Sequence, residues 1–204
     1  FGDWSSDVCS SDLGMAASGR VLSPLNTRLN AAEYMYILKD SEAEVLIFHN
    51  DFKSVVAEIR GSLGALRYCY VADGPADADW INGTYEDLIA GVADAPVEYE
   101  PGDENDTLNL YYTSGTTGNP KGVMLTHRNI YANALTTIIA FKLDDATVWH
   151  HIAPLFHLAD AFFMWSVTYQ GGCHVMQRQF IPKAVLQTMQ DEKVTAAIDR
   201  KSVV

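Results

Sequence analysis

The chain has 204 residues, 48% apolar and 20% charged, a balance that excludes a disordered chain and allows one sizeable core or two small ones. Fourteen basic residues stand against 26 acidic ones for a net charge of −12, which argues against nucleic acid or an anionic membrane surface as the main partner. Cys9, Cys69 and Cys173 lack a C-x-x-C spacing and cannot all pair, so free thiols and a cytoplasmic setting are expected.

Residues 1–13 (FGDWSSDVCSSDL) form a Ser/Asp run without a helical or strand period. They also lack the basic start and apolar centre of a signal peptide. The string resembles translated sequencing-adapter sequence, as does RKSVV at 200–204, so 14–199 is expected to be the native part, an internal piece of a longer protein.

From there the elements alternate. Asn30 and Glu33 have the form of a capping box, and Ala31, Tyr34, Met35 and Leu38 follow at helical spacing. A strand is predicted over 45–48, a helix over 52–59 and a strand over 68–72. Thr84 caps a short helix through Ala90, and 91–104, with two prolines, reads as a loop. Strands over 108–113 and 123–125 flank a Gly/Thr loop. A helix over 127–141 follows, with Ile130, Ala134, Ile138 and Phe141 as its buried face. The series closes with strand 148–152, helix 159–169 stopped by Gly171-Gly172, strand 173–176, helix 182–190 opened by Pro182, and strand 194–198. The longest uncharged stretch of this half, 161–177, is too short and too interrupted to span a bilayer. Alternation of this kind predicts an α/β fold, a largely parallel sheet flanked by helices.

The chemistry is concentrated in LYYTSGTTGNPKG at 110–122. The hydroxyls of Thr113, Ser114, Thr116 and Thr117 can donate to phosphate oxygens. Gly115 and Gly118 let backbone N–H groups approach an anion, and Lys121 adds a positive charge. Composition alone leaves a Thr/Gly-rich surface turn as an equal alternative. Between Thr107 and Leu143, however, there is no Asp or Glu where the chain average gives roughly five, while Lys121, Arg128 and Lys142 are present. A buried strand and helix would account for the missing acids but not for the three cations. The loop is not a Walker A motif, because Pro120 and Gly122 occupy positions that motif reserves for Gly and Ser/Thr.

YTSGTTGNPKGVMLTHRN at 112–129 resembles the phosphate-loop signature of the adenylate-forming (AMP-binding) superfamily. APLFHL at 153–158 resembles a second segment of that family, and VLSPLNTRLNAAE at 21–33 resembles the upstream region of fatty acyl-CoA ligases. The resemblance implies part of the large N-terminal domain of an ATP-dependent acyl-CoA ligase that activates a fatty or related acid as its acyl-adenylate. It also implies ATP, Mg²⁺ and coenzyme A as reaction components and a C-terminal domain beyond this chain. By resemblance, Thr113, Ser114, Gly115, Thr116, Thr117, Gly118 and Lys121 wrap the ATP phosphates and the leaving pyrophosphate. Thr113 in addition helps hold Mg²⁺, and His157 orients the acyl carboxylate. Catalysis then rests on positioning and charge neutralisation.

Phe156, Phe162, Phe163, Met164 and Trp165 are candidates to line an acyl pocket, with helix core as an equal reading for Phe163 and Met164. Many relatives have glycine where this chain has Asp160, which is expected to cap the following helix. His150, His151 and His174 read as hydrogen-bonded structural histidines rather than zinc ligands, since no H-E-x-x-H spacing occurs and adjacent strand residues face opposite ways. Segments that resemble the family's metal-binding glutamate, ribose-binding aspartate or catalytic lysine are not found from Gly118 onward, so the 204 residues alone are expected to be inactive. Two rival readings are a non-catalytic nucleotide-binding remnant and an adenylation domain serving a carrier protein.

Overall fold

The structure is a computed structural model that describes residues 13–90, 102–113, 118–177 and 179–198. The predicted loop at 91–104 therefore lies mostly outside the described residues. The chain divides into two compact units, one of Phe1–Pro24, Pro101–Asn109 and Met124–Val204, the other of Leu25–Glu100 and Leu110–Val123.

The second unit begins with α1 (Ala31–Asp40), where the expected capping box is present between Asn30 and Glu33. The buried residues of α1 are Tyr34, Ile37 and Leu38, with Ala31 and Met35 partly buried against the same core, so Ile37 joins the stripe that the sequence spacing indicated. Strands β1 (Val45–His49), β2 (Tyr68–Ala72) and β3 (Gly83–Thr84) run parallel in that order, with Leu46 beside Cys69 and Phe48 beside Val71. Between β1 and β2 the chain makes a 3₁₀ turn at Asn50–Phe52 and then α2 (Lys53–Ile59). The helix is thus shorter than the predicted 52–59. The side chains of Leu46, Phe48, Cys69 and Val71 pack with Tyr34, Leu38, Val56 and Ile59 in one core. The alternate residues Val45, Ile47 and Tyr68 are exposed, so only one face of this sheet is covered, whereas purely parallel sheets are usually covered on both. A capping box between Thr84 and Asp87 opens the short α3 (Tyr85–Ile89).

Strands β4 (Thr107–Thr113) and β5 (Lys121–Thr126) pair with each other, and the boundary between the units falls within both. In the first unit, β5 leads into α4 (His127–Phe141), capped by Thr126 and Asn129. Ile130 and Ala134 are buried as expected and Ile138 packs on the core, but Phe141 is 56% exposed. Its ring instead meets Phe163 edge-on at 4.9 Å, at the rim of the core.

A parallel sheet follows in the order β7–β6–β8, from β6 (Val148–His151), β7 (Cys173–Met176) and β8 (Ala196–Ala197). The last strand is reduced to two residues of the predicted 194–198. Helix α5 (Leu158–Gln170) joins β6 to β7, and its Phe163 and Val167 pack with Leu143 and Trp149. Gly171 ends it at φ 74°, a left-handed cap that favours glycine. Helix α6 (Pro182–Asp191) has Pro182 in its first turn, where the missing N–H costs nothing. Among the described residues no helix is long and apolar enough to cross a membrane.

Candidate active site

The residues singled out from the sequence fall in both units. Thr113 ends β4, Lys121 opens β5, and both are exposed in the second unit. Between them Gly118 sits at φ 149°, with open space where a Cβ would project. Ser114, Gly115, Thr116 and Thr117 lie outside the described residues.

Two contacts that the motif did not reveal hold the flanks of this loop. The Tyr112 hydroxyl donates to Asp40 Oδ2 at 2.7 Å, tying the end of β4 to the end of α1. Burial and the Asp40 carboxylate together push the Tyr112 phenol well above its usual pKa. Gly122 lies so close to β4 that an added Cβ would sit 3.0 Å from both Leu110 Cδ1 and Tyr112 Cζ. The glycine after Lys121 therefore serves the approach of β5 to β4.

Of Lys121, Arg128 and Lys142, only Arg128 has an ion-pair partner among the described residues. Arg128 donates to Glu104 at 2.7 Å, and Lys142 is the left-handed C-cap of α4 at φ 55°. Each of these two cations thus has a structural setting of its own. Lys121 is exposed on the loop's flank and, like the exposed Lys142, has no ion-pair partner among the described residues.

His157 is in the first unit, as the N-cap residue of α5. Its backbone N–H donates to Pro154 at 3.0 Å, and its carbonyl accepts from Asp160 and Ala161. The imidazole is exposed, with the Phe156 ring 4.6 Å away. Phe163 and Met164 are core: they are 4% and 1% exposed, and Phe163 stacks on Trp149 at 3.8 Å. Phe156, Phe162 and Trp165 are half-buried and remain available to a ligand.

Asp160 does not cap a helix. It occupies the first turn of α5, and its side chain is turned inward and fully buried. Oδ1 accepts from Trp149 Nε1 at 3.0 Å and pairs with His151 Nδ1 at 3.1 Å, while Oδ2 accepts from the Ala153 N–H at 3.3 Å. His151 Nε2 is 2.9 Å from His174 Nδ1, and His174 Nε2 is 2.9 Å from Thr168 Oγ1. A carboxylate only accepts, so His151 donates from Nδ1. With both rings neutral, His174 then donates to His151 and Thr168 donates to His174. Burial, with His151 adding to it, pushes the His174 pKa down to about 4, which keeps that ring neutral.

His151 and His174 are thus hydrogen-bonded. His150 is fully buried, and among the described residues neither of its ring nitrogens has a partner at ordinary hydrogen-bond geometry, a departure from the expected satisfied histidine. Burial lowers its pKa, and the nearby Gln177 side chain opposes that shift only in part. No group of three or more His, Cys, Asp or Glu side chains among the described residues is arranged to hold a metal ion. A shallow cleft of about 570 Å³ in the second unit, lined by Asn50, Asp51, Lys53, Ser54, Asp77 and Trp80 among others, includes none of the candidate residues.

Residues 1–198 match the model of the AMP-binding enzyme family, and the chain belongs to that family. The match includes 1–13. The chain is 28% identical over 187 residues to 4-hydroxybutyrate–CoA ligase 2 of Metallosphaera sedula, an alignment covering 89% of this chain and 34% of that protein. To feruloyl-CoA synthase of an Amycolatopsis species it is 35% identical over 179 residues, covering 87% and 33%. The fold is similar to the inhibitor-bound N-terminal domain of FACL13 from Mycobacterium tuberculosis, with a TM-score of 0.81, 28% identity, and coverage of 93% of this chain and 45% of that one. The chain spans about a third of the length of the curated relatives it matches.

Proposed function

We propose that this chain is part of an ATP-dependent acyl-CoA ligase and supplies groups on two sides of the adenylation step. The observation that carries the reading is the family match over 1–198, taken with the strand ends that present Thr113 and Lys121. The reaction joins a carboxylate to ATP, giving acyl-adenylate and pyrophosphate. Coenzyme A thiol then displaces AMP to form the thioester. The names of the relatives support small organic acids as the substrate class, and a fatty or related apolar acid is the member we favour.

The residues present suit a polyphosphate. An exposed hydroxyl at Thr113, an ammonium at Lys121 without an ion-pair partner among the described residues and an open backbone at Gly118 stand in a stretch free of carboxylate side chains from 107 to 143. In this reading Lys121 neutralises charge on the leaving pyrophosphate, and Ser114, Gly115, Thr116, Thr117 and Gly118 complete the wrap. Thr113 offers one oxygen to Mg²⁺, a minority of the six or so such an ion takes, and the ion when bound supplies further neutralisation of the phosphates. His157 orients the acyl carboxylate in line with the α-phosphorus, a contribution of position rather than covalent chemistry. Phe156, Phe162 and Trp165 bound the acyl side. The unpaired Cys69 and Cys173 support a reducing, cytoplasmic setting.

Exchange of labelled pyrophosphate into ATP, measured on the full-length protein with a panel of carboxylic acids, tests the proposal. Exchange should require the acid and should fall in Lys121→Ala and His157→Ala. Exchange that ignores the acid, or survives both substitutions unchanged, would show that the assignment is wrong.

A further inference from the structure

The geometry points to Asp160 as the positioning residue for His157: its buried carboxylate ties the near end of the turn that presents the imidazole to β6, and its backbone N–H closes the far end. The inference rests on the role proposed above for His157 and adds to it a residue that the family signature does not contain.

The turn at 152–157 leaves β6 and enters α5. At its near end, Asp160 Oδ2 accepts from the Ala153 N–H at 3.3 Å. At its far end, the Asp160 backbone N–H donates to the His157 carbonyl at 3.3 Å. The same carboxylate is held to β6 by Trp149 Nε1 at 3.0 Å and His151 Nδ1 at 3.1 Å. Asp160, Trp149 and His151 are 0%, 1% and 3% exposed, so these bonds are shielded from water and each lost partner would leave a buried donor unsatisfied. The first turn of a 13-residue helix is also where negative charge is favoured. His151 is itself held from behind by His174 and Thr168. The imidazole of His157 is exposed, with the Phe156 ring at 4.6 Å, so the backbone of this turn sets where its side chain leaves the chain.

Asparagine at 160 keeps the size but replaces one accepting oxygen with a donor that faces N–H groups. In the full-length protein, Asp160→Asn is expected to lower kcat for carboxylate-dependent ATP–pyrophosphate exchange roughly 10- to 100-fold, with the KM for ATP unchanged. In a His157→Ala background the same substitution should cost less than about twofold further, because nothing remains to be positioned. Equal fold-losses in the two backgrounds would overturn the positioning role and leave the His157 assignment standing. If His157→Ala alone causes no loss, both fail. Trp149→Phe removes the Nε1 donor, together with part of the buried indole, but leaves an aromatic ring beside Phe163, so it repeats the comparison if Asp160→Asn does not fold. A kcat loss of about threefold, present with His157 and absent without it, is expected. A loss of the same size in both backgrounds would again overturn the proposal.

Discussion

The flanks of the Thr/Gly loop and the turn that carries His157 both present an exposed side chain with a proposed role, but they are supported in opposite ways. Beside Lys121, the support is one hydroxyl–carboxylate bond from Tyr112 to Asp40 and the close approach of Gly122 to β4. Behind His157, the support is a buried chain running from Asp160 through His151 and His174 to Thr168. A charge that grips a polyphosphate works through long-range attraction and tolerates some freedom. An imidazole that must hold a carboxylate in line does not, because misplacement by about 1 Å costs on the order of 100-fold in rate.

That contrast can be broken first at the reactive residues. Replacing His157 by Ala should slow acyl-adenylate formation by roughly 10- to 100-fold while leaving thioester formation from preformed acyl-adenylate largely intact. Single-turnover assays of the two half-reactions measure this, and equal loss in both would place His157 elsewhere in the mechanism. Lys121→Ala removes a charge-assisted contact of about 1.5–3 kcal/mol. Its effect should fall on ATP and pyrophosphate whichever acid is used, and a loss that depends on the acid would contradict a phosphate-side role.

A second test concerns protonation. The folded pKa of His174, about 4, lies below its unfolded value near 6.5, so between those values the unfolded chain binds more protons. Stability from this residue is therefore fully present above about pH 6.5 and is lost as pH falls toward 4. The melting temperature should drop across that window, and His174→Asn should flatten the drop. An unaltered pH profile in that variant would show that His174 does not carry the effect. The smallest change is expected at the loop flank. Tyr112→Phe deletes one hydrogen bond, with about 0.5–1.5 kcal/mol lost in denaturant unfolding and a weaker effect on exchange than Lys121→Ala. A larger loss of exchange than that of Lys121→Ala would make Tyr112 more than a brace.

Much of this fold is legible in the sequence. The capping boxes at Asn30 and Thr84, strands 68–72 and 173–176, and helix 127–141 stand where local pattern put them, because caps, β-branched runs and helical spacing act within a few residues. Lys121 and the Thr/Gly loop were readable for the same reason, since their chemistry is contiguous in the chain.

Other readings failed where partners are distant in sequence. Phe141 fits the helical stripe but lies at the rim of the core, because burial depends on what the rest of the chain brings against each turn. Arg128 looked like part of an anion site until Glu104, 24 residues away, was found beside it. Asp160 looked like a cap because aspartate at a helix start usually is one. Only the tertiary structure turned its side chain inward from the first turn of the helix, where the indole of Trp149 and the ring of His151 reach it from the neighbouring strand. The sequence by itself determined the alternation of strands and helices and the family, both carried by local order along the chain. Which polar groups are buried, and which partners satisfy them, was decided by packing between elements, because a buried donor and acceptor find each other through space.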